Sequence, residues 1–136
     1  MIIKKKQVAA QLYTCRDYLK TPKDIKASLK KVKKIGYEAV QLSGLGPIDN
    51  AELKKILDGE GLVACATHES ADDILSKPAE IAEKLNDLGI KYTAYPFPAG
   101  IDFSTAASAK SLARKLDKSG AVLREAGIVL TYHNHN

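Results

Sequence analysis

Four times in its 136 residues the chain sets a glycine between a helix-like segment and a short apolar run. The junctions are Lys34-Ile35-Gly36-Tyr37, Glu60-Gly61-Leu62, Leu88-Gly89-Ile90 and Ala126-Gly127-Ile128. Glycine suits the left-handed residue that closes a helix, where a Cβ would be penalised. The chain therefore alternates helix and strand, one supersecondary unit repeated. Uneven spacing between the glycines excludes a solenoid of fixed period.

Between the glycines the helices are legible. Thr21-Pro22 opens the first, with threonine as N-cap and proline at the first helical position, and Ile25, Leu29, Val32 and Ile35 follow on one face. Asp49 and Glu52 have capping-box spacing ahead of Leu53, Ile56 and Leu57. Ile81, Leu85 and Leu88 mark the third helix. A fourth begins near Ser104 or Thr105 and presents Leu112, Leu116 and Leu123, with Gly120 as a point where it can kink or divide. The strands are expected over Gln7–Cys15, Glu38–Ser43, Leu62–Thr67, Lys91–Tyr95 and Ile128–His133. Most are nearly continuous apolar runs, as in parallel strands covered on both faces by helices. Five strands and four helices in strict alternation define an α/β domain over residues 1–136, with right-handed crossovers.

Composition removes several alternatives. Apolar residues make up 45% and charged residues 27%, the balance of a globular protein. No apolar run approaches the roughly 18–20 residues that cross a bilayer, so no membrane association is expected. The Met1–Lys6 start has basic residues without an apolar run after them, unlike a signal peptide. Cys15 and Cys65, placed in separate strands without CxxC spacing, point to reduced thiols and a cytoplasmic location. The formal charge of +5 does not mark a nucleic-acid surface. Lys30, Lys31, Lys33 and Lys34 fall late in one helix, where cations favour the dipole and solvent, and no aromatic residues interleave with them.

The polar residues collect at the C-terminal ends of the strands. Tyr13, Arg16 and Asp17 follow the first strand; Gln41, Ser43 and Gly44 the second. Thr67-His68-Glu69-Ser70 ends the third, Tyr95-Pro96-Phe97-Pro98 the fourth and Tyr132-His133-Asn134-His135-Asn136 the fifth. Ligands of α/β folds bind at this edge. A strand alternates faces, so His133 and His135 are expected to point the same way. Two histidines alone are too few for a structural metal site. His68 is equally placed to contact a ligand or to bond Glu69 or backbone, Tyr13 and Tyr95 suit wall or core positions, and Glu69, Asp72 and Asp73 suit the acidic first turn of a short helix.

Two architectures fit this order. A flavodoxin-like doubly wound sheet matches the length better, whereas a (β/α)₈ barrel needs about 250 residues, so the chain would supply a little over half of one. A flavodoxin-like chain should carry a phosphate loop or an acidic cluster after its first strand, and Tyr13-Thr14-Cys15-Arg16-Asp17 is neither. The segments Gln11–Asp17, Gly36–Gly44 (Gly-Tyr-Glu-Ala-Val-Gln-Leu-Ser-Gly) and Tyr132-His133-Asn134-His135 resemble the xylose-isomerase-like TIM barrels, the sugar phosphate isomerase/epimerase superfamily, which includes an apurinic endonuclease branch. The match runs in order through the whole chain.

The resemblance implies the N-terminal half of such a barrel, ending at the fifth strand. It implies an isomerase or epimerase acting on a small sugar or polyol derivative, with proton abstraction beside a carbonyl assisted by one divalent metal (manganese, magnesium, cobalt or zinc). Metal ligands in that family come from the fifth to eighth strands, which makes His133 the candidate ligand here, where the family often has Glu. Gln41 likewise stands at a position that is commonly Glu. Tyr13, Arg16, His68 and His135 are the implied substrate-contacting residues. The remaining ligands and bases would lie outside the chain, so the chain alone is expected to be inactive. The alternatives are a non-catalytic module binding a small polar ligand and an endonuclease-like enzyme. Half a barrel exposes its first and fifth strands as edges, which predicts self-association.

Overall fold

The computed structural model describes residues 8–98 and 100–135. Gln7, the expected start of the first strand, and the Lys4–Lys6 run lie outside the described residues. The elements are β1 (Ala9–Gln11), a 3₁₀ segment (Leu12–Tyr18), α1 (Pro22–Ile35), β2 (Ala39–Leu42), α2 (Asn50–Glu60), β3 (Val63–His68), α3 (Ala71–Ser76), α4 (Pro78–Leu88), β4 (Tyr92–Tyr95), α5 (Ala106–Glu125) and β5 (Val129–Tyr132). The helix starts follow the sequence signals. Thr21 and Asp24 form a reciprocal capping box, and Asp49 accepts from the amides of Ala51 and Glu52. Gly36, Gly61, Gly89 and Gly127 take φ of 114°, 62°, 72° and 78°, the left-handed stops the sequence predicts.

Five parallel strands pair in the order β1-β2-β3-β4-β5. No strand reverses the order, which excludes the doubly wound alternative. Right-handed crossovers that always step in one direction place their helices on one face. The packing agrees, since α1 lies against α2, α2 against α4 and α4 against α5. The expectation of strands covered on both faces is therefore corrected. Val40 and Leu42 of β2 face the helices and are buried with Leu29, Leu57, Leu85 and Leu123. On the opposite face Val63, Tyr92 and Val129 are 64%, 51% and 49% exposed.

Four details depart from the sequence reading. The first strand is short, because its expected second half coils into the 3₁₀ segment. There Thr14 Oγ1 donates to the Gln11 carbonyl, Cys15 Sγ to that of Leu12 and Arg16 Nη1 to that of Tyr13, bonds that compete with a ladder. Cys15 thus belongs to no strand. There are five α-helices, not four, because Ser70 caps the short α3. Helix α5 runs unbroken through Gly120. Ile35 is 75% exposed, because at 100° per residue it sits about 80° away from Ile25 around α1.

One irregularity positions the site. Between β2 and β3, Val40 pairs with Ala64 and Gln41 with Ala66, so Cys65 is an extra residue on β3. Such a bulge inverts the facing of everything after it. Ala64 shares the helix face with Val40, yet Ala66 shares the open face with Gln41. Thr67 then falls on the buried side at 1% exposure, and His68 turns to the open face.

The loop after β2 is pinned to the 3₁₀ segment. The Gly46 amide donates to the Leu19 carbonyl at 2.7 Å, and a Cβ at Gly46 would collide with the Lys20 carbonyl. Gly46→Ala should therefore destabilise the fold by about 1–3 kcal/mol, the usual range for overpacking. Urea unfolding tests this, and an unchanged midpoint would contradict the close approach.

Candidate functional site

All three histidines of the chain converge at the C-terminal edge of the sheet. They line a cavity of about 550 Å³ together with Gln11, Tyr13, Ser43, Gly44 and Phe97. A larger groove of about 940 Å³ runs between α1 and α2 on the outer surface, lined by residues such as Lys23, Lys26, Glu52 and Lys55. It gathers no set of imidazoles, amides and hydroxyls, so size does not mark the site here.

His68 sits in the middle of the cluster. Its Nδ1 is 3.3 Å from Ser43 Oγ, and its Nε2 is 3.2 Å from His133 Nδ1. The two rings meet edge to face with centroids 4.9 Å apart. His133 stacks on His135 at 4.8 Å and 29°. His135 Nε2 lies 2.8 Å from the Pro96 carbonyl and its ring meets Phe97 edge to face at 5.0 Å. The His133 amide donates to the Tyr95 carbonyl at 3.0 Å, which carries the β4–β5 ladder past the end of β5. That ladder holds the cluster on the sheet and not on a free tail.

Further back, Gln11 Nε2 donates to Gln41 Oε1 at 3.2 Å, an amide pair across β1 and β2 on the open face. Thr67 Oγ1 donates to Thr93 Oγ1 at 2.8 Å, and Thr131 Oγ1 donates to the Thr93 carbonyl at 3.0 Å, tying β3, β4 and β5 below the histidines.

The expected site residues separate into two groups. Tyr13, His68, His133 and His135 line the cavity. Arg16 does not: its guanidinium lies over the Tyr13 ring at 4.6 Å and its Nη1 donates to the Tyr13 carbonyl at 3.0 Å. His68 bonds neither Glu69 nor backbone, because Glu69 is engaged by Lys84 Nζ at 2.9 Å. Tyr95 is 2% exposed, stacks on Tyr132, and is core. Ser43 is a strand-tip residue in the sequence, but its partnership with His68 is not legible there, and neither is that of Gln11 with Gln41. The polar character of both strand tips was the available signal, but their partners depend on register.

Burial is the first cause that lowers the His68 pKa from its ordinary 6.5, followed by the neighbouring charges of His133 and His135. Geometry agrees, since a 3.2 Å contact between two ring nitrogens needs one donor and one acceptor. The Cys15 and Cys65 thiols are both free, and burial raises their pKa, which keeps them protonated at neutral pH.

Among the described residues no group of three or more His, Cys, Asp or Glu side chains is arranged to hold a metal ion. A hard cation such as magnesium takes oxygen ligands. Among the described residues the cavity offers imidazoles, amides and hydroxyls, and the one carboxylate lining it, that of Glu69, is held by Lys84. The residues present do not by themselves fit such a metal.

Five sequentially ordered parallel strands, helices on one face and a polar mouth at the strand tips define the open half of a (β/α)₈ barrel. Solved structures with this fold include a sugar phosphate isomerase/epimerase from Parabacteroides distasonis (TM-score 0.81, 20% identity, 98% of this chain and 52% of that one). A xylose isomerase-like TIM barrel protein from Mycobacterium smegmatis in complex with magnesium superposes with TM-score 0.74 at 11% identity, over 95% of this chain and 55% of that one. An L-ribulose 3-epimerase superposes with TM-score 0.67 at 19% identity, over 90% of this chain and 48% of that one. At these identities the likeness is one of fold, and this chain spans about half the length of each. No family model and no curated protein matches the sequence.

The lowered His68 pKa has a stability consequence. Below pH 6.5 the unfolded chain takes up a proton that the folded chain resists, so stability falls as pH falls through the window between 6.5 and the lower folded value. Above that window the contribution is complete. Unfolding midpoints across this range should drop on acidification, and His68→Gln should flatten the slope. An equal slope in the variant would assign the dependence to other groups.

Proposed function

We propose that the strand-tip cavity binds a small sugar or polyol derivative and forms the N-terminal part of the site of an isomerase or epimerase whose barrel is completed by further strands. The observation that carries this reading is the convergence of His68, His133, His135, Ser43 and Gln11, the last held by Gln41, around a cavity that Tyr13 and Phe97 also line. A polyhydroxylated ligand needs closely spaced donors and acceptors for its hydroxyls and an apolar wall for its C–H face. The cavity supplies both. The names of the solved structures with the same fold point the same way.

Isomerisation or epimerisation beside a carbonyl requires a group that polarises the oxygen and a base that moves the proton. The first can be met by imidazole within this chain. For the second the cavity has no free carboxylate among the described residues, because Glu69 is paired with Lys84 and Gln41 is an amide, which leaves imidazole as the base type it offers. Bases, and the hard oxygen ligands for any divalent metal such as the magnesium of the Mycobacterium protein, would come from the rest of the barrel. The expectation for this chain alone is binding without turnover, since the carboxylate bases and hard metal ligands of the proposed reaction would lie in the rest of the barrel. Among the described residues no lysine or arginine lines the cavity, so a nucleic-acid backbone finds no cation there and the endonuclease-like alternative gains no support.

One further observation bears on assembly. The open face exposes Val63, Tyr92 and Val129, and β1 and β5 are the edges of the sheet. Such a surface favours self-association through strand edges. Light scattering should then report a dimer or larger species, and a monomer at high concentration would argue against it.

Neutral ketoses, aldoses and polyols titrated into ¹⁵N-labelled chain should shift the His68, His133 and His135 side-chain signals with millimolar affinity. Replacing His135 by alanine should weaken that binding by about 2–10-fold, the value of one hydrogen bond of roughly 0.5–1.5 kcal/mol. Absence of any shift at the three histidines across the ligand set would remove the proposal.

A further inference from the structure

We propose that Ser43 and His68 form a two-step relay that fixes the tautomer of His133, so that His133 presents a protonated Nε2 to the cavity as a hydrogen-bond donor and not as a metal ligand. The inference deepens the ligand-binding reading above and rests on it for the identity of what the donor meets. The tautomer itself rests on geometry alone.

The assignment starts from Ser43, which is 4% exposed. Among the described residues the one partner of its hydroxyl is Nδ1 of His68, at 3.3 Å. A buried hydroxyl hydrogen left without an acceptor is costly, whereas a spare oxygen lone pair is tolerated far better. Ser43 therefore donates and His68 Nδ1 accepts. A neutral imidazole carries a single proton, so that of His68 is on Nε2. This N–H faces Nδ1 of His133 at 3.2 Å and donates to it. His133 Nδ1 is thereby the acceptor, and the proton of neutral His133 sits on Nε2. That atom has no partner among the described residues, and His133 lines the cavity.

His135 is fixed independently. Its Nε2 lies 2.8 Å from the Pro96 carbonyl, which can only accept, so Nε2 donates and Nδ1 is left with a lone pair. The stacked rings of His133 and His135 therefore offer one donor and one acceptor on neighbouring side chains. That pair suits a ligand with adjacent oxygens, one accepting from His133 and one hydroxyl donating to His135. A neutral imidazole that donates to a carbonyl oxygen polarises it without changing its own charge.

This differs from the role implied by family resemblance. With Nδ1 occupied by His68 and Nε2 protonated, His133 has no lone pair left for a cation. Metal ligation would require reversing both links of the relay, which would leave the Ser43 hydrogen without its acceptor. Ser43 and His68 act through His133 and are positioning residues.

Long-range ¹H–¹⁵N correlation spectra of the full chain, recorded well above the ordinary histidine value of 6.5, read all three tautomers directly. All three rings are expected with the proton on Nε2. Ser43→Ala should reduce the Nε2-protonated population of His133, and Ser43→Thr, which keeps the hydroxyl, should restore it. Added Mn²⁺ should not broaden the His133 ring selectively. A wild-type His133 protonated on Nδ1, a His133 tautomer indifferent to Ser43→Ala, or selective broadening by Mn²⁺ would each overturn the proposal. None of these readouts requires a sugar, so failure of sugar binding would leave the relay standing, and a failed relay would leave sugar binding to be judged separately.

Discussion

The one-way sense of the crossovers governs the rest of the molecule. A right-handed strand–helix–strand connection advances the sheet by one strand, and repeating it without reversal leaves every helix on the same side. That side becomes the core, where apolar residues of α1, α2, α4 and α5 join Val40 and Leu42 of β2 in one buried cluster. On the other side, among the described residues, no helix covers the sheet. The strand tips inherit both properties. They are backed by the packed sheet, and among the described residues no helix lies over them.

Rigidity at the tips is reinforced by polar links that a purely apolar sheet would lack. The bonds of Thr67, Thr93 and Thr131 bridge three strands below the histidines, with Thr67 and Thr93 both buried. A network of this kind contributes little net stability per bond, but an unmade bond there is costly, so it fixes geometry. The Gln11–Gln41 amide pair does the same between β1 and β2. Imidazole positions that differ by a few tenths of an ångström would lose the 3.2 Å contact between His68 and His133.

The helices were readable from sequence because their signals are local. Thr21-Pro22, Asp49 and the four glycines act within a few residues, and each ended or began an element where expected. The first strand was misread because Leu12, Tyr13 and Cys15 look apolar while Thr14, Cys15 and Arg16 bond back to the backbone. The histidines were recognisable as strand-tip residues, and Tyr13, His68, His133 and His135 do line the cavity. Their partnership was not readable. Ser43 and His68 are 25 residues apart, and His68 and His133 are 65 apart. Such pairs depend on register, and register here depends on the irregularity at Cys65. Ala64-Cys65-Ala66 are all small enough for either face, so no alternation of size or polarity betrays the extra residue.

That extra residue also changes how β3 must be aligned with other barrel strands. Counting by twos from Ala64, which faces the helices, would assign position 68 to the core, and a histidine there would look like an error. A relative whose third strand lacks the insertion would carry its equivalent functional group at odd spacing from the same core alanine. Comparisons that slide strands together by hydrophobic pattern alone would then pair a binding residue with a packing residue. At the 11–20% identities between this chain and those barrels, its third strand should be matched with Cys65 counted as an extra residue.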